Sequence, residues 1–334
     1  MTSSSGFRVP DFSNVQAAAD DLRGQAVETP LLESPLVNAR LGGRLLVKAE
    51  VLQRTGSFKF RGAFNRLSWL TDDERAAGVV AFSSGNHAQG VAHAAALLGV
   101  PATIVMPRDA PPLKIENTRA YGAEVVLYDR KTENREAIGE ALAAERGLTL
   151  VRPYDDPDVI AGQGTVALEV VEQARLKDLH LDAFLVPCGG GGLTAGCALA
   201  LAEESPDTAL FTVEPEGYDD TARSLAGGQR VENDMSVDSV CDALLAPTPG
   251  ELTFGINTCL VSGGLAVDEA AVFRAMATAF KDYKIVVEPG GAVALAAVLS
   301  GAFDVRDKTV AVVCSGGNVA PDLFARALAA AGEG

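Results

Sequence analysis

The chain has 334 residues, enough for two domains or one large one, and its 48% hydrophobic and 22% charged residues are those of an ordinary soluble globular protein. A formal net charge of −16 argues against nucleic acid or an anionic membrane as partner, since both repel such a surface, but leaves room for a small anion held by local donors. No apolar run reaches transmembrane length, Met1 to Asp11 lacks the apolar core of a signal peptide, and the five cysteines (Cys188, Cys197, Cys241, Cys259, Cys314) show no C-x-x-C spacing, so reduced thiols and a cytoplasmic protein are expected.

In chain order, the first clear element is a strand over Leu45–Glu50, apolar and partly β-branched. A helical run follows at Phe60, Phe64, Leu67 and Leu70, with Lys59 at its start and Ser57 as the expected N-cap. Strands at Val79–Ser83, Ala102–Met106 and Glu124–Tyr128 then alternate with helices at Ala88–Leu98, Pro112–Tyr121 and Glu133–Arg146. A helix over Gly164–Arg175 leads to strands at Ala183–Pro187 and Leu210–Glu214, which flank a helix over Leu193–Glu203. The stretch from Leu225 to Val261, rich in Gly, Pro, Asp and Thr, is irregular and is expected to cover an active site or a subunit contact. Helices over Glu269–Lys281 and Gly290–Leu299 and a strand over Thr309–Cys314 complete the pattern. Near-continuous apolar strands alternating with helices imply an α/β fold whose parallel sheet is covered on both faces. Chain order leaves open whether there is one sheet or two.

Three stretches carry chemistry. Ser57-Phe58-Lys59-Phe60-Arg61-Gly62-Ala63 sets one lysine between a strand and a helix. Taken alone, Lys59 is more safely read as a solvated helix-end lysine. Ser83-Ser84-Gly85-Asn86-His87 follows a strand, and its polar side chains line a ligand loop or cap the next helix. Gly189-Gly190-Gly191-Gly192 stands between a strand and a helix, where backbone N–H groups at the positive end of the helix dipole cradle a phosphate. A tight turn would need one glycine, and four leave the chain floppy. The G-x-G-x-x-G and G-x-x-x-x-G-K-[ST] patterns are absent, which disfavours a dinucleotide or a P-loop nucleotide. A lysine beside a phosphate cradle forms an imine with the aldehyde of pyridoxal phosphate. Ser315-Gly316-Gly317-Asn318, at the C-terminal end of a strand, offers a hydroxyl to the cofactor's ring nitrogen, or equally a helix N-cap. With three histidines and none paired at ligand spacing, zinc is not expected.

Together with Val159-Ile160-Ala161-Gly162-Gln163-Gly164-Thr165 and Glu288-Pro289, these motifs resemble the fold-type II (β-family, tryptophan synthase β-like) pyridoxal-phosphate enzymes, and within them the serine/threonine dehydratases and serine racemase. The resemblance spans roughly residues 28 to 323. It implies two open parallel-sheet domains with helices on both faces: a large cofactor domain from residues 1–76 and 156–334, and a small mobile domain over 77–155. Lys59 would be the Schiff-base lysine and the base at Cα. Phe58, Asn86, Gly189, Gly190, Gly191, Gly192, Leu193 and Ser315 would hold the cofactor. Ser83, Ser84, Gly85, Asn86 and His87 would grip the substrate carboxylate.

Ser84 discriminates within the family, because Ser-Ser-Gly-Asn resembles the racemase-like members, where a hydroxyl opposite the lysine returns a proton to Cα. Glu214-Pro215 followed by Asp220 resembles their Mg²⁺ or Ca²⁺ site, with Glu214, Asp220 and the Tyr218 carbonyl as ligands; the alternative is a solvated acidic loop. Two features depart from or go beyond the usual pattern. Cys241-Asp242-Ala243 stands where relatives read Ala-Asp-Gly, and Ala246-Pro247-Thr248-Pro249-Gly250-Glu251-Leu252-Thr253-Phe254 resembles a branch of bacterial dehydratases without an assignable substrate. No regulatory extension is expected. The resemblance implies a homodimeric ammonia-lyase that eliminates water from serine or threonine. Alternatives are a 3-hydroxyaspartate ammonia-lyase, with Arg135 or Arg152 on the second carboxylate, a serine or aspartate racemase, or a non-catalytic binding protein.

Overall fold

Within the computed structural model, which describes residues 8–83, 85–110 and 112–330, ten strands form two sheets. In chain order they are β1 (Leu31–Glu33), β2 (Arg44–Lys48), β3 (Val79–Phe82), β4 (Ala102–Pro107), β5 (Glu124–Tyr128), β6 (Thr149–Leu150), β7 (Ala183–Pro187), β8 (Ala209–Pro215), β9 (Gly263–Val267) and β10 (Thr309–Val313). The larger sheet runs β1-β2-β10-β7-β8-β9, parallel except for β1, and the smaller runs β5-β4-β3-β6, all parallel. Every strand of the smaller sheet falls between Val79 and Leu150, so the chain leaves the larger sheet after β2 and returns at β7.

Successive strand residues face opposite ways, and here both faces are apolar. Leu45, Val47, Leu185, Val310 and Val312 pack on the side of helices Glu269–Thr278 and Pro289–Leu299. Leu46, Phe184, Val186, Ala311 and Val313 face helices Pro157–Arg175 and Gly192–Glu204. Burying each such side chain contributes about 1.5–3 kcal/mol, and truncating the fully buried Phe184 to Ala would cost about 3–5 kcal/mol.

Glycines bring the site-bearing helices together. A Cβ on Gly162 would lie 2.7 Å from the Arg61 carbonyl, and one on Gly196 would lie 2.3 Å from the Ile160 carbonyl. Helix Pro157–Arg175 therefore packs backbone to backbone against both Lys59–Ser68 and Gly192–Glu204, fixing the starts of those two helices relative to each other. A buried ion cluster reinforces the first contact. The Arg61 guanidinium donates to Glu50 Oε1 and Oε2, each at 2.8 Å, and to Glu169, which also accepts from Lys48 Nζ at 2.6 Å.

All seven strands read from the sequence are present, Glu124–Tyr128 and Ala183–Pro187 with the expected ends and the other five with ends shifted by one or two residues. Three more were not legible there: β1 and β6 are very short, and β9 opens on Gly263-Gly264, poor strand formers. The helix expected from Gly164 starts at Pro157, because Asp156 caps it through the Asp158 and Val159 N–H groups. The helix expected to run to Lys281 ends at Thr278 in a π-turn over Ala279–Tyr283. The irregular stretch holds helices Asp220–Gly227 and Glu251–Leu260 around a short turn at Asp242–Leu244. All five cysteines are free thiols. No helix among the described residues is long and apolar enough to cross a membrane.

Candidate active site

Lys59 is placed by a bridge between two chain segments. Ser57 pairs with Gly316 as an isolated β-bridge, and the Phe58 N–H donates to the Ser315 carbonyl at 3.1 Å. This corrects the expected N-cap: Ser57 is held extended by the bridge, its hydroxyl is buried without a partner, and Phe58 occupies the cap position without a side-chain bond. Lys59 then begins the helix, and its Nζ donates to the Pro153 carbonyl at 2.7 Å. Burial lowers the Lys59 amine from 10.5 to about 8, so it loses its proton far more readily than an exposed lysine.

A pocket opens above Lys59, lined by Phe58, Phe82, Ser83, Gly85, Asn86 and His87, by all of Gly189–Leu193, and by Arg135 and Ser315. It thus gathers the sequence-predicted cofactor and substrate residues that fall within the described positions. Ser84 lies outside the described residues. Arg152 does not line the pocket; it is half-buried and 3.8 Å from Glu140.

Four helix starts whose cap residues line this pocket lack a side-chain cap: Lys59–Ser68 after Phe58, Asn86–Leu98 after Gly85, Gly192–Glu204 after Gly191 and Pro289–Leu299 after Glu288, the second and third of them after a glycine. By contrast Asp11, Ser34, Thr71, Asn134, Asp156 and Asp268 each cap their helices. First-turn N–H groups have no intrahelical acceptor, so an uncapped start on a pocket is a donor set for an anion. Asn86 and His87 lie inside the helix rather than capping it.

The four glycines have steric reasons of their own. Only Gly191 needs the left-handed region, at φ +91, but a Cβ on Gly190 would come within 2.4 Å of the Tyr154 ring, and one on Gly189 would sit 3.2 Å from Leu244 Cα. The run therefore exposes backbone on one side because other backbone and an aromatic ring press on the rest. Its uncapped donors and the desolvated Lys59 amine fit the phosphate and aldehyde of pyridoxal phosphate.

The polar side chains are held from behind. Asn86 Nδ2 donates to Glu288, while its Oδ1 accepts from Asn318 Nδ2 at 2.8 Å. Burial and the nearby Asp242 push the Glu288 carboxyl up to about 7. The His87 ring bonds the Val151 carbonyl at 3.1 Å, so Nε2 carries the hydrogen and Nδ1, buried without a partner, is left as an acceptor. Burial and the Lys59 charge lower His87 to about 3, and it stays neutral. Its contribution to an anion site is backbone N–H, not ring charge. Arg135 makes no ion pair among the described residues and lies over the Phe82 ring, 5.8 Å from its centre.

Sequence reasoning missed Pro153, Tyr154 and Lys114, and had Asp242 only as part of the departure Cys241-Asp242-Ala243, of which Asp242 and Ala243 line the pocket. Lys114 and Asp242 form a 3.0 Å ion pair across the pocket mouth, from a helix beside the smaller sheet to the turn Asp242–Leu244. The only sequence signal was indirect, in that Pro153 and Tyr154 directly precede the Asp-Asp-Pro helix start.

The acidic loop is more specific. Glu214 Oε1 and Oε2 accept the Thr221 and Ala222 N–H groups at 3.0 and 2.7 Å. Asp220 is buried, with Oδ1 accepting from Asn233 Nδ2 at 2.5 Å and Oδ2 without any partner. Burial, with Asp220 adding repulsion, pushes Glu214 up to about 8, and burial raises Asp220 to about 6. An orphaned buried oxygen beside a second carboxylate excludes the solvated-loop alternative and fits a hard cation. Among the described residues no group of three or more His, Cys, Asp or Glu side chains converges, so further ligands would be carbonyls or water.

The pyridoxal-phosphate dependent enzyme family matches residues 22–316. An L-threo-3-hydroxyaspartate ammonia-lyase from Pseudomonas sp is 46% identical over 321 residues, covering 96% of this chain and 99% of the relative. The crystal structure of the T.th. threonine deaminase is 45% identical with a TM-score of 0.88, covering 93% of this chain and 99% of that one. Maize serine racemase is 36% identical with a TM-score of 0.90, covering 98% and 99%.

Proposed function

The chain belongs to the pyridoxal-phosphate-dependent enzymes, of fold type II, and we propose that within this family it is an ammonia-lyase converting 3-hydroxyaspartate to a 2-oxo acid and ammonia. The observation that carries the substrate is Arg135. It is a guanidinium on the pocket wall without a carboxylate of its own, in a chain 46% identical to a 3-hydroxyaspartate ammonia-lyase. Serine and threonine offer one carboxylate, which the uncapped start of Asn86–Leu98 suffices to bind; a second carboxylate needs a second cationic donor.

Bound here, pyridoxal phosphate supplies the electron sink that acidifies Cα–H of an attached amino acid. Gly189–Leu193 would hold its phosphate, and Ser315, at the end of β10, would face its ring nitrogen. A hydroxyl leaves that nitrogen uncharged, which favours fast loss of a β-leaving group over a long-lived carbanion. Lys59 Nζ, whose amine is lowered to about 8 and is half neutral at that pH, would take the Cα proton, and the protonated amine would then have a proton to give to the departing β-hydroxyl. Residues 77–155, carrying Ser83–His87, Lys114 and Arg135, would act as a small domain closing on the rest and excluding water.

A divalent cation, Mg²⁺ or Ca²⁺, is assigned to Glu214, Asp220 and the Tyr218 carbonyl, on the strength of the orphaned Asp220 Oδ2. A homodimer is the expected assembly. Sedimentation tests the assembly.

The test of function is a substrate panel of L-serine, D-serine, L-threonine and the 3-hydroxyaspartate isomers, following 2-oxo acid, ammonia and chirality together. A 3-hydroxyaspartate isomer should give the highest kcat/KM. Serine or threonine turned over better would remove Arg135 from the argument. A second reading, racemisation, rests on Ser84 in Ser-Ser-Gly-Asn and on the similarity to maize serine racemase. Chirality in the same panel decides it.

A further inference from the structure

The segment Ala246–Phe254 has no role in the chemistry above, and none of Pro247–Phe254 lines the pocket. Its contacts lie on the far side of the glycine run. Thr253 Oγ1 donates to the Gly190 carbonyl at 2.7 Å, and the Gly250 N–H donates to the same oxygen at 3.3 Å. In a trans peptide the carbonyl of one residue and the N–H of the next point in opposite directions, and no peptide bond among the described residues is cis. With Gly190 oxygen pulled back towards helix Glu251–Leu260, the Gly191 N–H is turned forward into the pocket.

From this geometry we infer that Thr253 is a positioning residue for the cofactor's phosphate, holding the Gly190–Gly191 peptide in the orientation that presents the Gly191 N–H. Without Thr253 only the longer bond from the Gly250 N–H, at 3.3 Å, opposes rotation of this glycine–glycine peptide. The helix bearing Thr253 is itself pinned. Asp155 accepts the Glu251 N–H at 3.1 Å, Leu252 N–H at 2.9 Å and Thr253 N–H at 3.2 Å. Gly250 is needed there because a Cβ would lie 2.3 Å from Asp155 Oδ1. Asn257, one turn on, is fully buried and presses on Gly191 from the same helix face. Asp155 adjoins Tyr154, whose ring rests on Gly190, and Pro153, whose carbonyl holds Lys59. One three-residue strap thus aligns the amine with the phosphate donors.

The inference rests on the glycine run holding the phosphate, and the experiment separates the two. Thr253→Val keeps the shape and removes the donor; Thr253→Ser keeps the donor. Pyridoxal phosphate is titrated into the cofactor-free full chain of each, with the ³¹P resonance of the bound cofactor and the melting temperature of the cofactor-free chain recorded alongside. The valine variant should bind about 10- to 150-fold more weakly, the worth of one hydrogen bond to a charged group, with a shifted ³¹P resonance. The serine variant should restore both, and the cofactor-free melting temperature should stay near that of the parent because Gly250 N–H still satisfies Gly190. Parent-like binding by the valine variant, failure of serine to rescue, or affinity that merely tracks melting temperature would overturn the inference. Should the valine variant not fold, Thr253→Ala carries the same decision. A parent chain that gains no ³¹P signal from bound cofactor would overturn the phosphate reading itself.

Discussion

Replacing Arg135 by alanine separates function from stability with unusual clarity, because the arginine sits where the fold does not want it. It is the first residue of helix Arg135–Arg146, at the positive end of the helix dipole, and Asn134 already caps that end through the Glu136 and Ala137 N–H groups. A cation there is unfavourable by about 0.3–1 kcal/mol, so its removal should leave melting temperature unchanged or slightly raised. The guanidinium has no ion pair among the described residues and only a weak contact with the Phe82 face, so little packing is lost. Against a second carboxylate in a desolvated pocket it would contribute about 1.5–3 kcal/mol, or about 10- to 150-fold in kcat/KM. Arg135→Ala should therefore lose that factor on 3-hydroxyaspartate and almost nothing on serine or threonine, measured by initial rates of 2-oxo acid release. An equal loss on all substrates would assign Arg135 to domain closure, and no loss on any would refute the dicarboxylate reading.

Other expectations follow from Lys59, the acidic loop and Arg61. With its amine lowered to about 8, Lys59 is about one-tenth neutral at pH 7 and mostly neutral at pH 9, so cofactor capture by the cofactor-free chain, followed by absorbance, should rise about tenfold and then level off. A lysine left at 10.5 would instead give about 100-fold without a plateau, and borohydride reduction should fix the cofactor on Lys59 and no other lysine. If Glu214 and Asp220 hold a cation, EDTA should lower melting temperature, Mg²⁺ or Ca²⁺ should restore it, and Asp220→Ala should be insensitive to both. Ser84→Ala should spare elimination and cut any racemisation by about 10²-fold or more, read as D-serine formed from L-serine. Glu50→Gln should cost about 3–5 kcal/mol in denaturant unfolding, because it leaves the buried Arg61 charge one partner short.

The motifs were legible because each is local: a glycine run, a Ser/Asn loop and a lysine at a helix start are consecutive residues whose chemistry shows in their order. What holds them was not. Tyr154 is an ordinary aromatic in sequence, and it becomes part of the glycine run only because helix Pro157–Arg175 brings residues 153–155 beneath it. Glu288 was visible as a matching dipeptide, yet its hold on Asn86 spans 202 positions. Ser57 went wrong for the same reason, since its cap propensity was overridden by a bridge to Gly316 that no local pattern announces. The number of sheets was hidden because β1, β6 and β9 are too short or too glycine-rich to read.

One sequence feature does foretell the arrangement, though only in retrospect. Helices whose ends serve the fold carry their caps in sequence, as Ser34, Thr71, Asn134, Asp156 and Asp268 do. Two of the helices that open on the pocket begin after Gly85 and Gly191, which have no side-chain oxygen to offer the first-turn N–H groups. Glycine at a cap costs only a few tenths of a kcal/mol relative to a serine or aspartate, so leaving these two starts open is cheap. A capping side chain at either would add little stability and would occupy the N–H groups that an anion needs. Those two starts lie on helices flanking different sheets, and on the proposed reading one would grip a carboxylate and the other a phosphate. An amino acid attached to the cofactor would then satisfy both sets of first-turn N–H groups at once, which would favour drawing the smaller sheet towards the larger.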